Sequence, residues 1–139
     1  MTTETTSRQD SRTIVNGLYA AIYERDPAAA AELLTEDVTW TVPDSLPAGG
    51  AYHGREAVGA YLNMLSETWH VLEHRPERFV EDDRHVVVTG QSALTSSLTG
   101  EKDRIPFAHV MKIDGGRIAV FDEFTDTVRM ARLIGGLTS

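Results

Sequence analysis

The chain has 139 residues, 41% hydrophobic and 24% charged, which fits one globular domain with enough apolar material for a core. Thirteen Lys and Arg residues against twenty-one Asp and Glu give a formal net charge of −8, so nucleic acids and anionic membranes are poor partner candidates. No apolar run approaches the ~20 residues that span a bilayer, and residues 1–12 lack the apolar stretch of a secretory signal. Cysteine is absent, which excludes disulfides and thiolate sites and favours a reducing cytoplasm as the location.

The N-terminal part of the chain carries helical patterns. Residues 1–11 are polar and predict a flexible arm, and a single domain is predicted over residues 12–136. Apolar residues at three- and four-residue spacing predict a first helix over residues 12–25. Asp26 followed by Pro27 predicts the start of a second helix, with Asp26 as its N-cap.

The rest of the chain is mostly strand-like. Alternating β-branched residues predict a strand over residues 38–42, the Pro- and Gly-rich stretch 43–54 predicts a loop, and residues 55–66 predict a third helix. Four longer strands are predicted over residues 69–80, 85–94, 104–113 and 117–125, followed by a short helix capped by Asp126. This order predicts an α+β fold in which helices pack on one face of a strongly curved antiparallel sheet.

Several short phrases in this order resemble the nuclear transport factor 2-like superfamily, and within it the SnoaL-like branch of polyketide cyclases and ketosteroid isomerase relatives. The phrases are YERD at residues 23–26, LLTEDVTW at 33–40, YHGREAV at 52–58, GRI at 116–118 and FTDT at 124–127. The resemblance covers residues 12–134. It implies a cone-shaped fold around an apolar pocket for a small hydrophobic organic molecule, and a homodimer formed through the sheet.

The resemblance allows known chemistries of the superfamily to be compared at matching positions. The base, acid donor and helix-one tyrosine of ketosteroid isomerases match Val42, Ala108 and Leu18, so classical steroid isomerisation is disfavoured. Limonene epoxide hydrolases use an Asp-Arg-Asp arrangement. Its Arg-x-Asp half would lie in residues 85–94, which contain neither Arg nor Asp, and its other aspartate matches Glu123.

The resemblance to SnoaL-like aldol cyclases leaves Glu123 as the principal candidate, because these enzymes use an acidic residue of the last strand as general acid/base. It implies an enzyme that needs neither cofactor nor metal and that cyclises, isomerises or otherwise moves protons on a small polyketide-like substrate. Such a carboxyl must lie in a dry pocket, where its pKa rises toward the working pH. Two alternatives stay open: a non-catalytic small-molecule-binding or accessory protein on the same fold, and epoxide hydrolase-like ring opening.

His109 and Tyr19 complete the candidate catalytic set, His109 as a proton-transfer partner and Tyr19 as a hydrogen-bond donor. The turn between the last two strands decides whether His109 meets Glu123. A two-residue turn at residues 114–115 would put His109 on the face of Asp122, whereas a three-residue turn would put it on the face of Glu123. We favour the three-residue turn, because it joins two apolar rows on one face.

Candidate substrate-binding residues are mainly aromatic and apolar side chains that are expected in the core or the pocket wall, with one histidine from the Gly-rich loop at the expected pocket mouth. They are Trp40, Tyr23, Tyr61, Met64, Phe107, Met111, Phe121 and His53. The histidines lack a helical metal-binding spacing and the chain has no HExxH motif, so no metal site is predicted.

Overall fold

The computed structural model describes the backbone of residues 3–135 and the side chains of residues 11–135. The helices and strands are α1 (Thr3–Tyr23), α2 (Pro27–Glu32), β1 (Leu34–Val42), β2 (Gly50–His53), α3 (Gly54–Thr68), β3 (Trp69–Glu81), β4 (His85–Ser96), β5 (Lys102–Asp114), β6 (Arg117–Thr125) and α4 (Thr127–Leu133). No helix in this part of the chain is both long enough and apolar enough to cross a bilayer.

The helices begin where capping chemistry and apolar spacing predict, with one difference at the N-terminus. The Asp26 side chain accepts a hydrogen bond from the backbone N–H of Ala29, and Asp126 accepts one from that of Arg129, so both predicted N-caps are confirmed. Helix α1 begins at Thr3, so the backbone of residues 3–11, which the sequence predicts as an arm, continues the helix. Residues 1, 2 and 136 lie outside the described part of the chain.

The six strands form one sheet in the order β2-β1-β6-β5-β4-β3. The neighbours are antiparallel except β1 and β6, which run parallel because no hairpin joins them and the chain between them contains α3 and four strands. The stretch predicted as one loop over residues 43–54 contains the edge strand β2, in which Gly50 pairs with Val42. That prediction was wrong because the Pro and Gly signals of the turn mask a four-residue strand beside it.

The hairpin of β5 and β6 determines on which face of the sheet His109 and Glu123 lie. A two-residue turn of Gly115 and Gly116, both at positive φ, pairs Asp114 with Arg117. The favoured three-residue turn was therefore wrong. A bulge after Ile118 nevertheless shifts the register by one residue, so His109 pairs with Glu123 and the predicted shared face is confirmed.

Curvature of the sheet encloses the core. β3 is irregular between Pro76 and Arg78, and a Cβ on Gly90 of β4 would lie 2.1 Å from the Arg75 carbonyl oxygen, so only glycine permits this close approach. Helix α1 packs against β3 and α3 packs against β1, both on the concave face. The resulting architecture is the expected α+β cone.

Candidate functional site

A narrow cavity of about 30 Å³ lies between the helices and the concave face of the sheet. Its wall combines apolar, aromatic and polar side chains from α1, α3, α4 and all strands except β2. They are Ile22, Trp40, Tyr61, Leu65, Trp69, Leu72, His74, Ser92, Phe107, His109, Phe121, Glu123, Thr125 and Met130. This wall contains one carboxylate and no Lys or Arg, so the charge state of the cavity depends mainly on Glu123.

Burial raises the pKa of Glu123 toward neutrality, which is the direction that acid/base chemistry requires. Its side chain shares the concave face of β6 with Phe121, and removal from water raises its pKa from 4.5 to about 7. It forms no salt bridge with any described residue. Near neutral pH, protonated and ionised forms are therefore both well populated, as a group that accepts and returns a proton requires.

His109 lies across the strand pair from Glu123 and is held by Tyr19. A hydrogen bond of 2.8 Å joins the Tyr19 hydroxyl to Nδ1 of His109, and both residues are buried. Burial, with a smaller contribution from His74, lowers the pKa of His109 well below its usual value. Burial and the negative charge of Glu123 raise the pKa of Tyr19. The pair is therefore a neutral imidazole and an un-ionised phenol at physiological pH.

His74 is a site residue that sequence reasoning missed. Its ring stacks on Tyr19 at a centroid distance of 4.9 Å and lies 5.1 Å from the ring of His109. Burial lowers its pKa to about 4. An irregularity between Trp69 and Val71 breaks the alternation of side chains along β3. Strict alternation would place Trp69 and His74 on opposite faces of the strand, so the sequence pattern could not show that both line one cavity.

The structure brings together most of the residues predicted for the site. Trp40, Tyr61, Phe107 and Phe121 line the cavity together with His109 and Glu123. The rings of Trp40 and Phe121 stack at 3.8 Å, because the parallel register of β1 and β6 places the two residues side by side. Tyr19 lies one hydrogen bond behind the wall and acts on the cavity through His109.

Four predicted substrate-binding residues lie away from this cavity. Met111 is fully buried in the core and Met64 packs against that core. His53 is exposed, with its Nδ1 3.2 Å from the Thr39 hydroxyl. Tyr23 is 53% exposed and lines a smaller neighbouring pocket of about 20 Å³. This outer pocket and the Glu123 cavity share a wall of Ile22, Leu65, Trp69 and Leu72.

Among the side chains described, no group of three or more His, Asp or Glu residues is placed to hold a metal ion. The wall also lacks the arginine and second carboxylate that the Asp-Arg-Asp arrangement of an epoxide hydrolase requires. Glu123 is the wall side chain that can exchange a proton near neutral pH, and the neutral histidines, indole and hydroxyl groups around it can form hydrogen bonds.

A comparison with protein families identifies the family of this chain. A family model described as SnoaL-like domain matches residues 15–121. The chain belongs to the SnoaL-like domain family. This SnoaL-like chain is 30% identical to an NTF2-like protein of unknown function from Burkholderia pseudomallei, with a TM-score of 0.82 over 90% of this chain and 97% of that one. None of the curated proteins matches it.

Two further solved structures share the fold of the SnoaL-like chain. TerC, crystallised with polyporic acid, is 23% identical, with a TM-score of 0.82 over 91% of this chain and 98% of TerC. A hypothetical protein with a ketosteroid isomerase-like fold from Catenulispora acidiphila, in complex with trimethylamine, is 16% identical, with a TM-score of 0.78 over 91% of this chain and 97% of that one. These two likenesses concern the fold, which hosts many functions.

Proposed function

We propose that this SnoaL-like protein is an acid/base enzyme that needs no cofactor and that cyclises or isomerises a small, neutral, polyketide-like carbonyl compound. The observation that carries the proposal is the Glu123 carboxyl, whose pKa burial raises to about 7 on the wall of an otherwise mostly apolar cavity. The family includes cyclases and isomerases, and TerC offers a fold neighbour that was crystallised with an organic molecule.

The reaction follows from the ionisation of Glu123. Its carboxylate removes a proton from the carbon between two carbonyl groups of the substrate, which leaves an enolate and a protonated Glu123. The enolate carbon attacks a third carbonyl carbon of the same molecule, so one C–C bond forms and that C=O becomes an alkoxide. Glu123 returns its proton to the alkoxide, and the product is a cyclic isomer of the substrate.

His109 and Tyr19 support this step by holding the wall in place. Their hydrogen bond fixes the imidazole beside the β6 pairing position, with no ionic group that could salt-bridge Glu123 and lower its pKa. The ring of His109 also lies 4.6 Å from that of Phe121, so it packs against the apolar surface on which a substrate rests. Both side chains are therefore positioning residues.

The test uses methyl 3,7-dioxooctanoate, whose acidic carbon can close a six-membered ring on its own ketone. We expect conversion to the cyclic hydroxy ketone, with a rate that rises with pH and levels off above about pH 7 as Glu123 ionises. Glu123→Gln is expected to lower kcat by about 10²- to 10⁴-fold. Asp122→Asn is the matched control, because Asp122 lies opposite Val110 on the other face of β6. Near wild-type turnover by Glu123→Gln would contradict the proposal.

A non-catalytic ligand-binding protein is the second candidate. The isomerase and hydrolase residues missing from the matching positions favour it, because they leave Glu123 as the one carboxylate in the wall for catalysis. Binding of the keto ester without conversion, with equal affinity in wild type and Glu123→Gln, would support this candidate over the enzyme.

We also propose that the protein acts as a homodimer in the cytoplasm, the location that its lack of cysteine favours. On the convex face of the sheet, Phe124 is 56% exposed beside its pairing partner Ala108, and Val80 is 64% exposed. Light scattering during gel filtration tests this. Phe124→Glu is expected to yield monomers, whereas Leu98→Glu, at an exposed residue outside the sheet, is expected to leave the dimer intact. A wild-type monomer would contradict the proposed assembly.

A further inference from the structure

Two buried polar atoms on the cavity wall have no hydrogen-bond partner among residues 11–135. They are the indole Nε1 of Trp40, a residue only 2% exposed, and Nδ1 of His74. Both residues line the cavity that holds Glu123. A buried polar atom without a partner is costly, and most such atoms in native proteins are paired. Two on one wall therefore indicate where a ligand supplies hydrogen bonds.

The sheet places these two residues on either side of Glu123. Trp40 lies on β1, and His74 lies on β3 at the far edge of the sheet. Between them run β6 and β5, which carry the paired residues Glu123 and His109, and then β4. A ligand that reaches both unpartnered atoms therefore passes over the strand that carries the acidic group.

The chemistry of the two side chains limits what the ligand can be. An indole N–H only donates, so Trp40 requires an acceptor such as a carbonyl oxygen. His74 is neutral because burial lowers its pKa to about 4. A neutral imidazole donates from one nitrogen and accepts at the other, so it suits either a carbonyl or a hydroxyl oxygen.

Charge limits the ligand further. Glu123 is the only acidic residue in the wall, and no Lys or Arg lines it. A carboxylate ligand would enter a poorly hydrated cavity with no counter-charge and with a second carboxyl nearby, which is unfavourable. A neutral ligand meets no such penalty.

We propose that Trp40 Nε1 and His74 bind two oxygens of one neutral ligand, with Glu123 between them, and that the cavity rejects anionic analogues. The inference rests on the proposed function for the cavity as the site and adds the groups that recognise the substrate. Stacking of Trp40 on Phe121 at 3.8 Å fixes the indole ring, so the donor is already oriented when the ligand enters.

The test reads the indole N–H signals of ¹⁵N-labelled protein, which has two tryptophans, Trp40 and Trp69. Trp40→Phe assigns the two signals. Acetylacetone, neutral near pH 6.5 and carrying two oxygens, is the probe, and acetoacetate is its anionic counterpart of similar size. We expect acetylacetone to shift the Trp40 signal downfield in a saturable manner and acetoacetate to bind at least tenfold more weakly.

Variants separate hydrogen bonding from packing. Trp40→Phe and His74→Phe keep aromatic rings and are each expected to weaken acetylacetone binding about fivefold, the effect of one lost hydrogen bond. His70→Phe, at an exposed histidine of β3 outside the cavity wall, is the matched control for His74→Phe and is expected to bind normally.

The outcomes keep this inference apart from the proposed reaction. Binding is also measured in Glu123→Gln, which cannot perform the proton transfer, so a failed turnover assay leaves the binding result intact. A Trp40 signal that does not move in wild type, a shift confined to Trp69, or equal affinity for acetoacetate would each overturn the inference.

Discussion

Two carboxylates on neighbouring strands show how one sheet creates opposite environments. Asp103 lies on β5 near the helical C-terminal segment, and Arg129 of α4 donates two hydrogen bonds to it at 2.7 and 3.0 Å. These bonds lower the pKa of Asp103 below its usual value. Glu123 lies on β6, faces the cavity without a cationic partner in the described chain, and has a pKa raised to about 7. The carboxylate of Asp103 thus forms a stabilising ion pair, whereas that of Glu123 is a candidate proton carrier.

The difference teaches that solvent and counter-charge, rather than residue type, decide the role of a carboxylate. The Asp103–Arg129 ion pair is partly exposed, with side-chain exposures of 35% and 39%, so water and salt screen it. The Glu123 carboxyl is surrounded by side chains that cannot neutralise it. Its ionisation therefore costs free energy that the rest of the fold must supply.

The largest expected effect concerns Glu123 and the dependence of protein stability on pH. Because the pKa of Glu123 is raised in the folded state, its stability contribution is fully present below about pH 4.5 and is lost as pH rises toward 7. Glutamine does not ionise, so the Glu123→Gln variant does not lose this stability as pH rises. We expect the variant to match wild type at pH 4 and to be about 3 kcal/mol more stable at pH 8, measured by urea unfolding. Equal stability at pH 8 would mean that the carboxyl is well solvated.

A second variant tests the hydrogen bond between the neutral side chains of Tyr19 and His109. Tyr19→Phe removes the hydroxyl that bonds to His109 and leaves a buried imidazole nitrogen without a partner. We expect a loss of about 1–2 kcal/mol in the free energy of unfolding. Tyr23→Phe is the control, since Tyr23 is 53% exposed, and is expected to change little. Equal effects of the two changes would contradict a structural role for the Tyr19–His109 bond.

The smallest effect is expected on the Asp103 side. Asp103→Asn weakens the ion pair with Arg129 but leaves both side chains partly in water. We expect a destabilisation smaller than that of Tyr19→Phe, which shrinks at high salt and disappears at a pH low enough to protonate Asp103. Thermal melts at low and high ionic strength measure it. A salt-independent loss as large as that of Tyr19→Phe would show that the pair is more buried than its exposure indicates.

The sequence by itself determined the order of the elements apart from β2, the N-caps of α2 and α4, and six of the fourteen residues that line the cavity. Asp26 and Asp126 cap helices because capping is a local interaction within three residues. Glu123 emerged as the main candidate because the family phrases extend through the last strand. Alternation along β6 correctly placed Phe121 with Glu123, since a period of two holds between irregularities.

Only the tertiary structure decided which strands meet and which side chains share the cavity. The bulge after Ile118 brings Glu123 opposite His109 despite a two-residue turn, and the irregularity after Trp69 brings His74 into the wall. The parallel pairing of β1 with β6 sets Trp40 against Phe121 across some eighty residues of chain. Such long-range pairings depend on the packing of the whole sheet, whereas caps and alternation depend on neighbours along the chain.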